Sequence, residues 1–126
     1  MRKILLTLAL AAAALIAVPG TAQAATAWAS SGLTGVQASG SYSRTGNTVH
    51  FYGRLYDTEA DKRSVGLYVW FTGESSPAYR YVADKSGANT SVAIDLKSTK
   101  APHLKVMEVK YDANSNEIAG PWVTIY

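Results

Sequence analysis

The chain contains no cysteine in 126 residues. That excludes disulfide staples, Cys-ligated zinc, iron–sulfur clusters and thiol catalysis. Histidine is scarce as well: His50 and His103 are the only two, too few to build a catalytic argument on. The many serines include no G-x-S-x-G elbow of the kind that presents a nucleophile. Most Asp and Glu residues fall in predicted turns or at strand ends, not across a cleft as glycoside hydrolysis requires. We therefore expect no enzyme, no cofactor and no catalytic residues.

Long apolar runs are also missing after the first stretch. Met1-Arg2-Lys3 precedes an apolar run from Ile4 to Val18, then Pro19-Gly20 and Ala22-Gln23-Ala24. The run falls short of the roughly 20 residues that cross a bilayer comfortably. A basic start, a short apolar stretch and small residues at Ala22 and Ala24 predict a signal peptide over 1–24. Secretion to an extracellular location follows as an expectation, with no membrane attachment after cleavage. Charge of one sign is lacking too. The formal charge of +3 includes Arg2 and Lys3. Without them, ten Lys+Arg face nine Asp+Glu, so nothing electrostatic calls for nucleic acid or an anionic membrane.

What is present is alternation with a period of two. Residues 25–37 are small and polar, with Trp28 as the one large side chain, and are expected to be a flexible N-terminal segment. Residues 38–126 are expected to be one domain. In "ASGSYSRTGNTVHFYGRLYD" a two-residue Gly46-Asn47 turn would place Thr45 opposite Thr48 and Tyr42 opposite Phe51. Ala38, Tyr42, Val49, Phe51 and Leu55 then share one face; His50, Tyr52, Arg54 and Tyr56 share the other. "VGLYVWFT" separates Val65, Leu67, Val69 and Phe71 from Tyr68 and Trp70. "GESSP" and "DKSGAN" read as turns around "AYRYVA", and further strands are expected near 90–96, 104–112 and 121–126. About seven short strands predict an all-β fold, a two-sheet antiparallel sandwich of Ig-like architecture, with a small β-barrel as the alternative.

Tyr52, Tyr56, Tyr68 and Trp70 all avoid the aliphatic faces. Such rings offer a flat apolar surface with a polar handle, and exposed apolar patches mark contact surfaces. They are the expected binding residues, with His50 and Arg54 as polar helpers. The expected partner is a glycan, a cell-envelope polymer or an extracellular protein. Asp57, Glu59 and Asp61 alternate as calcium-binding loops do, but Lys62 and Arg63 beside them would compete with a cation. A solvated loop with no metal is the expectation there.

Two resemblances add to this reading. Tyr79-Arg80-Tyr81 resembles the aromatic–Arg–aromatic triplet that small actinobacterial α-amylase inhibitors present to their enzyme, which implies a secreted inhibitor as the alternative function. The Ala-rich leader, Gly53-x-Leu55-x-Asp57-x-x-Ala60-Asp61 and the late "DAN" turn resemble small secreted proteins of Streptomyces and related actinobacteria. That second resemblance covers most of the chain after the leader. It implies a secreted β-sandwich and no particular activity.

Overall fold

The computed structural model describes residues 24–75 and 78–126. The expected signal segment up to residue 23, and Ser76 and Pro77 of the expected "GESSP" turn, lie outside the described residues. Eight strands and no helix are present among those described: β1 (Thr26–Ala29), β2 (Val36–Thr45), β3 (Thr48–Asp57), β4 (Val65–Phe71), β5 (Arg80–Asp84), β6 (Thr90–Ser98), β7 (Leu104–Tyr111) and β8 (Glu117–Thr124). They form two four-stranded antiparallel sheets, ordered β1-β2-β3-β6 and β5-β4-β7-β8. The fold is a β-sandwich of two separate sheets, not a closed barrel.

The β2–β3 hairpin has the predicted register, from Thr45 opposite Thr48 to Val36 opposite Asp57. Gly46 takes φ 62° in its turn, a conformation that costs glycine no Cβ clash. The inward faces of the two sheets meet in one apolar core. Val49, Phe51, Leu55 and Ile94 supply it from one side; Val65, Leu67, Val69, Phe71, Leu104 and Val106 from the other. All are buried, and burial of this kind is the main force holding two sheets together. At one margin Tyr42 stacks on Tyr126 with centroids 5.0 Å apart, and the Arg44 guanidinium lies 4.1 Å from the Tyr126 centroid.

The expected flexible segment is corrected by the structure. Thr26–Ala29 forms edge strand β1 on β2, and Trp28 is buried in the core. The indole stacks on Phe51 at 4.2 Å and its Nε1 donates to the Tyr52 carbonyl at 3.0 Å. Residues 25–37 therefore belong to the sandwich. Three acidic residues, Asp57, Asp84 and Glu108, are also buried; Glu108 of β7, opposite Leu67 of β4, accepts from the Ser30 hydroxyl and the Leu33 N–H.

Candidate functional site

Alternation along β4 buries Leu67, Val69 and Phe71 and turns Tyr68 and Trp70 to the outer face of the second sheet. Its neighbours bring rings to the same face. In register, Tyr81 of β5, Tyr68 of β4, Met107 of β7 and Trp122 of β8 make one row across all four strands. Tyr79, just before β5, completes the group. Trp70, Tyr79 and Trp122 touch each other pairwise, with centroids 5.1–5.7 Å apart. Tyr68 lies 4.8 Å from Tyr81 and 6.2 Å from Tyr79. Tyr79 and Trp122 come from the two halves of the sheet flanking β4 and β7. Their contact means that the rings lean inward over the middle of the sheet.

Five rings thus cover an outer face that would otherwise be wet. Tyr79 is 44 % exposed and Tyr81 42 %, while Tyr68, Trp70 and Trp122 are half-buried beneath and beside them. Their orientations are held by polar contacts at the margin. The Tyr68 hydroxyl donates to Glu117 at 2.9 Å, and this bond is the main reason its pKa is raised. The Tyr81 and Tyr111 hydroxyls share a hydrogen bond of 2.8 Å. Burial, then that bond, pushes the Tyr81 phenol well above its ordinary range. Gly66 leaves the space that Tyr81 occupies; a Cβ there would collide with the Tyr81 ring and hydroxyl. The Lys105 ammonium sits 5.2 Å from the Trp70 centroid, a distance at which the ring quadrupole attracts a cation. A face of pre-oriented rings with polar groups at its edge can stack on flat apolar surfaces and hydrogen-bond around them.

The predicted binding residues do not all meet. Tyr68 and Trp70 belong to this face. Tyr52, Tyr56, His50 and Arg54 lie on the outer face of the first sheet, with the whole core between. There His50 bonds Asp95 at 2.6 Å and tilts over Tyr52 at 4.7 Å, and Arg54 donates to Ser91 at 2.9 Å. These six residues therefore fall on two separate surfaces, because β3 and β4 belong to different sheets. β3 and β4 are consecutive, but the connection at 58–64 crosses from one sheet to the other. Trp122 was not anticipated. Alternation from inward Val123 turns it outward, but no sequence signal shows that β8 lies near β4.

The triplet Tyr79-Arg80-Tyr81 is also divided. Its two tyrosines join the aromatic face. Arg80 turns to the opposite side, donates to Glu74 at 2.7 Å and to the Lys97 carbonyl of the other sheet, and lies over the Phe71 ring at 5.1 Å. The three side chains do not form one exposed surface.

Among the described residues, no group of three or more His, Asp or Glu side chains could hold a metal. Asp57, Glu59 and Asp61 diverge. Asp61 Oδ1 accepts from the Arg63 N–H, and Glu59 is 3.5 Å from the Lys110 ammonium. Asp57 is fully buried; Oδ1 accepts from the Glu59 N–H at 3.2 Å and Oδ2 has no partner. Desolvation raises its carboxyl pKa, and Asp61, Asp84 and Glu59 add to the rise. A carboxyl raised in the fold stabilises it fully below the unfolded pKa, and that contribution is lost as pH rises through the folded value. Asp57→Asn removes the buried charge. It should raise stability by about 1 kcal/mol at neutral pH, roughly 4–8 °C in melting temperature. The gain should shrink toward zero below about pH 3.5, where the parent carboxyl is protonated. Thermal melts of both proteins across pH check this; a gain that persists unchanged in acid would rule out ionisation as its cause.

In comparisons with known proteins, no family model matches the chain, and no curated protein or solved structure is significantly similar to it.

Proposed function

We propose that this is a secreted, non-catalytic binding protein that holds a glycan chain on the outer face of the sheet β5-β4-β7-β8. One observation carries the reading: Tyr68, Trp70, Tyr79, Tyr81 and Trp122 form a continuous aromatic surface on the solvent side of a sheet. Rings in a core need no such exposure. Tyr and Trp present flat faces to the C–H side of sugar rings and hydroxyls or N–H groups to their edges. Contacts among the rings restrict their rotamers before binding, which lowers the ordering cost of association.

Ring tilt narrows the kind of glycan. The paired rings are inclined by 41° to 78° to one another, so no two rings in contact share a plane. The surface is ridged. It suits successive sugar rings of a single, accessible chain better than the flat face of a crystalline polysaccharide.

Sedimentation of the purified protein with insoluble cell wall, chitin and amorphous cellulose tests this. Tyr79→Ala should weaken binding by at least about tenfold, the loss typical of a central aromatic anchor. Tyr79 is exposed but touches three rings, so its variant should stay folded with a melting temperature lowered by several degrees. Tyr56→Ala, on the opposite face, should bind as the parent does. Equal losses in both variants, or no sedimentation with any polymer, would rule out this face as a glycan site.

A further inference from the structure

We infer that the glycan held by this face is acidic, and that its carboxylate or phosphate groups are received in a cationic cleft at the Tyr81 edge of the aromatic surface. The inference rests on the binding role proposed above and specifies its ligand class. The cleft, of about 590 Å³, lies between the 58–64 connection, the turn after β5 and the β7–β8 turn. Tyr81 is the shared wall: it lines the cleft with Tyr111 and packs against Tyr68 of the aromatic face. A chain lying across the rings toward this edge therefore enters the cleft.

Lys62, Arg63 and Lys85 line it. Lys62 and Arg63 follow each other at the tip of one loop; Lys85 faces them from the turn after β5. All three are exposed, and among the described residues none is in an ion pair. The two carboxylates in the same lining are engaged otherwise. Asp61 accepts from the Arg63 backbone N–H. Asp112 accepts from the N–H groups of Asn114 and Asn116, and these bonds, the Asn116 one foremost, hold its pKa below the usual carboxylate range. Both acids thus act as backbone clamps that shape the loops. Three cations against these two carboxylates leave the lining one positive charge in excess; Arg63 lies near enough to Asp112 to help hold its pKa down, while Lys62 and Lys85 make no ion pair among the described residues. Arg63 offers a planar fork suited to an oxyanion, and the two lysines offer point charges. Carboxylate and phosphodiester polymers share this chemistry.

The test uses the purified protein and three soluble polymers: polygalacturonate, its fully methyl-esterified neutral form, and poly(glycerol phosphate). The parent should bind polygalacturonate, poly(glycerol phosphate) or both more tightly than the esterified polymer, with affinity falling as salt rises. The triple variant Lys62→Gln, Arg63→Gln, Lys85→Gln should bind the anionic polymers about tenfold more weakly, the size three exposed ion pairs supply together. It should retain parent affinity for the esterified polymer. Tyr79→Ala should weaken binding to charged and neutral polymers alike. The two acid polymers distinguish carboxylate from phosphate as the source of the anion. Parent-like affinity of the triple variant for both anionic polymers would overturn the cleft while leaving the aromatic face in place. Failure of the parent to bind any polymer would overturn both.

Discussion

Trp28→Ala is expected to cost about 3–5 kcal/mol of folding stability, as large-aromatic truncations in cores do. The upper part of that range applies here, because the site cannot collapse. Trp28 on β1 is opposite Gly40 on β2, which is opposite Gly53 on β3. To reach the Tyr52 carbonyl on β3, the indole must lie across β2 at this glycine row. Neither glycine can supply a replacement side chain. A Cβ at Gly40 would strike the Tyr52 carbonyl, and one at Gly53 would strike the Ser39 carbonyl. Removing the indole therefore uncovers Phe51 and leaves a gap floored by bare backbone. β1 would lose its hold as well, since Trp28 is the only buried residue among its four. Trp28→Phe should be milder, about 1–2 kcal/mol, keeping the stack and losing the Nε1 hydrogen bond. Urea unfolding of the three proteins, with amide exchange on β1 and β2, measures both effects. A loss below about 1 kcal/mol for the alanine variant would show that the indole is not the plug of this row.

The same residue shows what could be read from sequence and what could not. The β2–β3 register followed from local facts: a two-residue turn and a period of two fix every pair between Thr45 and Asp57. Strand β1 did not, because "TAWA" is short, small and mostly exposed. It is a strand through its ladder to β2, from Thr26 opposite Tyr42 to Ala29 opposite Ser39, and through the Trp28 bond to Tyr52, 24 residues further along. The outward direction of Tyr68 and Trp70 was legible from alternation with Leu67, Val69 and Phe71. Their neighbours were not. A seven-residue polar connection such as 58–64 can close a hairpin or cross between sheets with similar loop entropy. It crosses, and so Tyr52 and Tyr56 part from Tyr68 and Trp70. Tyr79, Tyr81 and Trp122 join the latter two because β5, β4, β7 and β8 share a sheet, and strand order leaves no local mark in a sequence.

Glu108→Ala should be the second most damaging change, costing about 3 kcal/mol. Alternation put Glu108 beside Val106, but the reason a carboxylate belongs there lies 75 and 78 residues earlier in the chain. Glu108 accepts from the Leu33 N–H at 2.8 Å and from the Ser30 hydroxyl. Ser30 Oγ in turn accepts from the Ala38 N–H at 3.0 Å. This relay ties β7 of one sheet to the β1–β2 corner of the other. Truncation strands the Leu33 N–H and leaves the Ser30 hydroxyl without its acceptor. An apolar residue of similar size cannot repair this, because it leaves the Leu33 N–H and the Ser30 hydroxyl without an acceptor; Glu108→Leu should therefore remain well below the parent. Glu108→Gln should lose less, about 1–2 kcal/mol, since its carbonyl oxygen can still accept one of the two hydrogen bonds. Ser30→Ala alone should cost about 1 kcal/mol. Combined with Glu108→Ala it should add little further, because the pair shares one bond. A double-mutant cycle by chemical denaturation measures that coupling. Strict additivity would mean that the carboxylate and the hydroxyl stabilise the corner independently, leaving the Leu33 N–H to Glu108 bond as the polar link there.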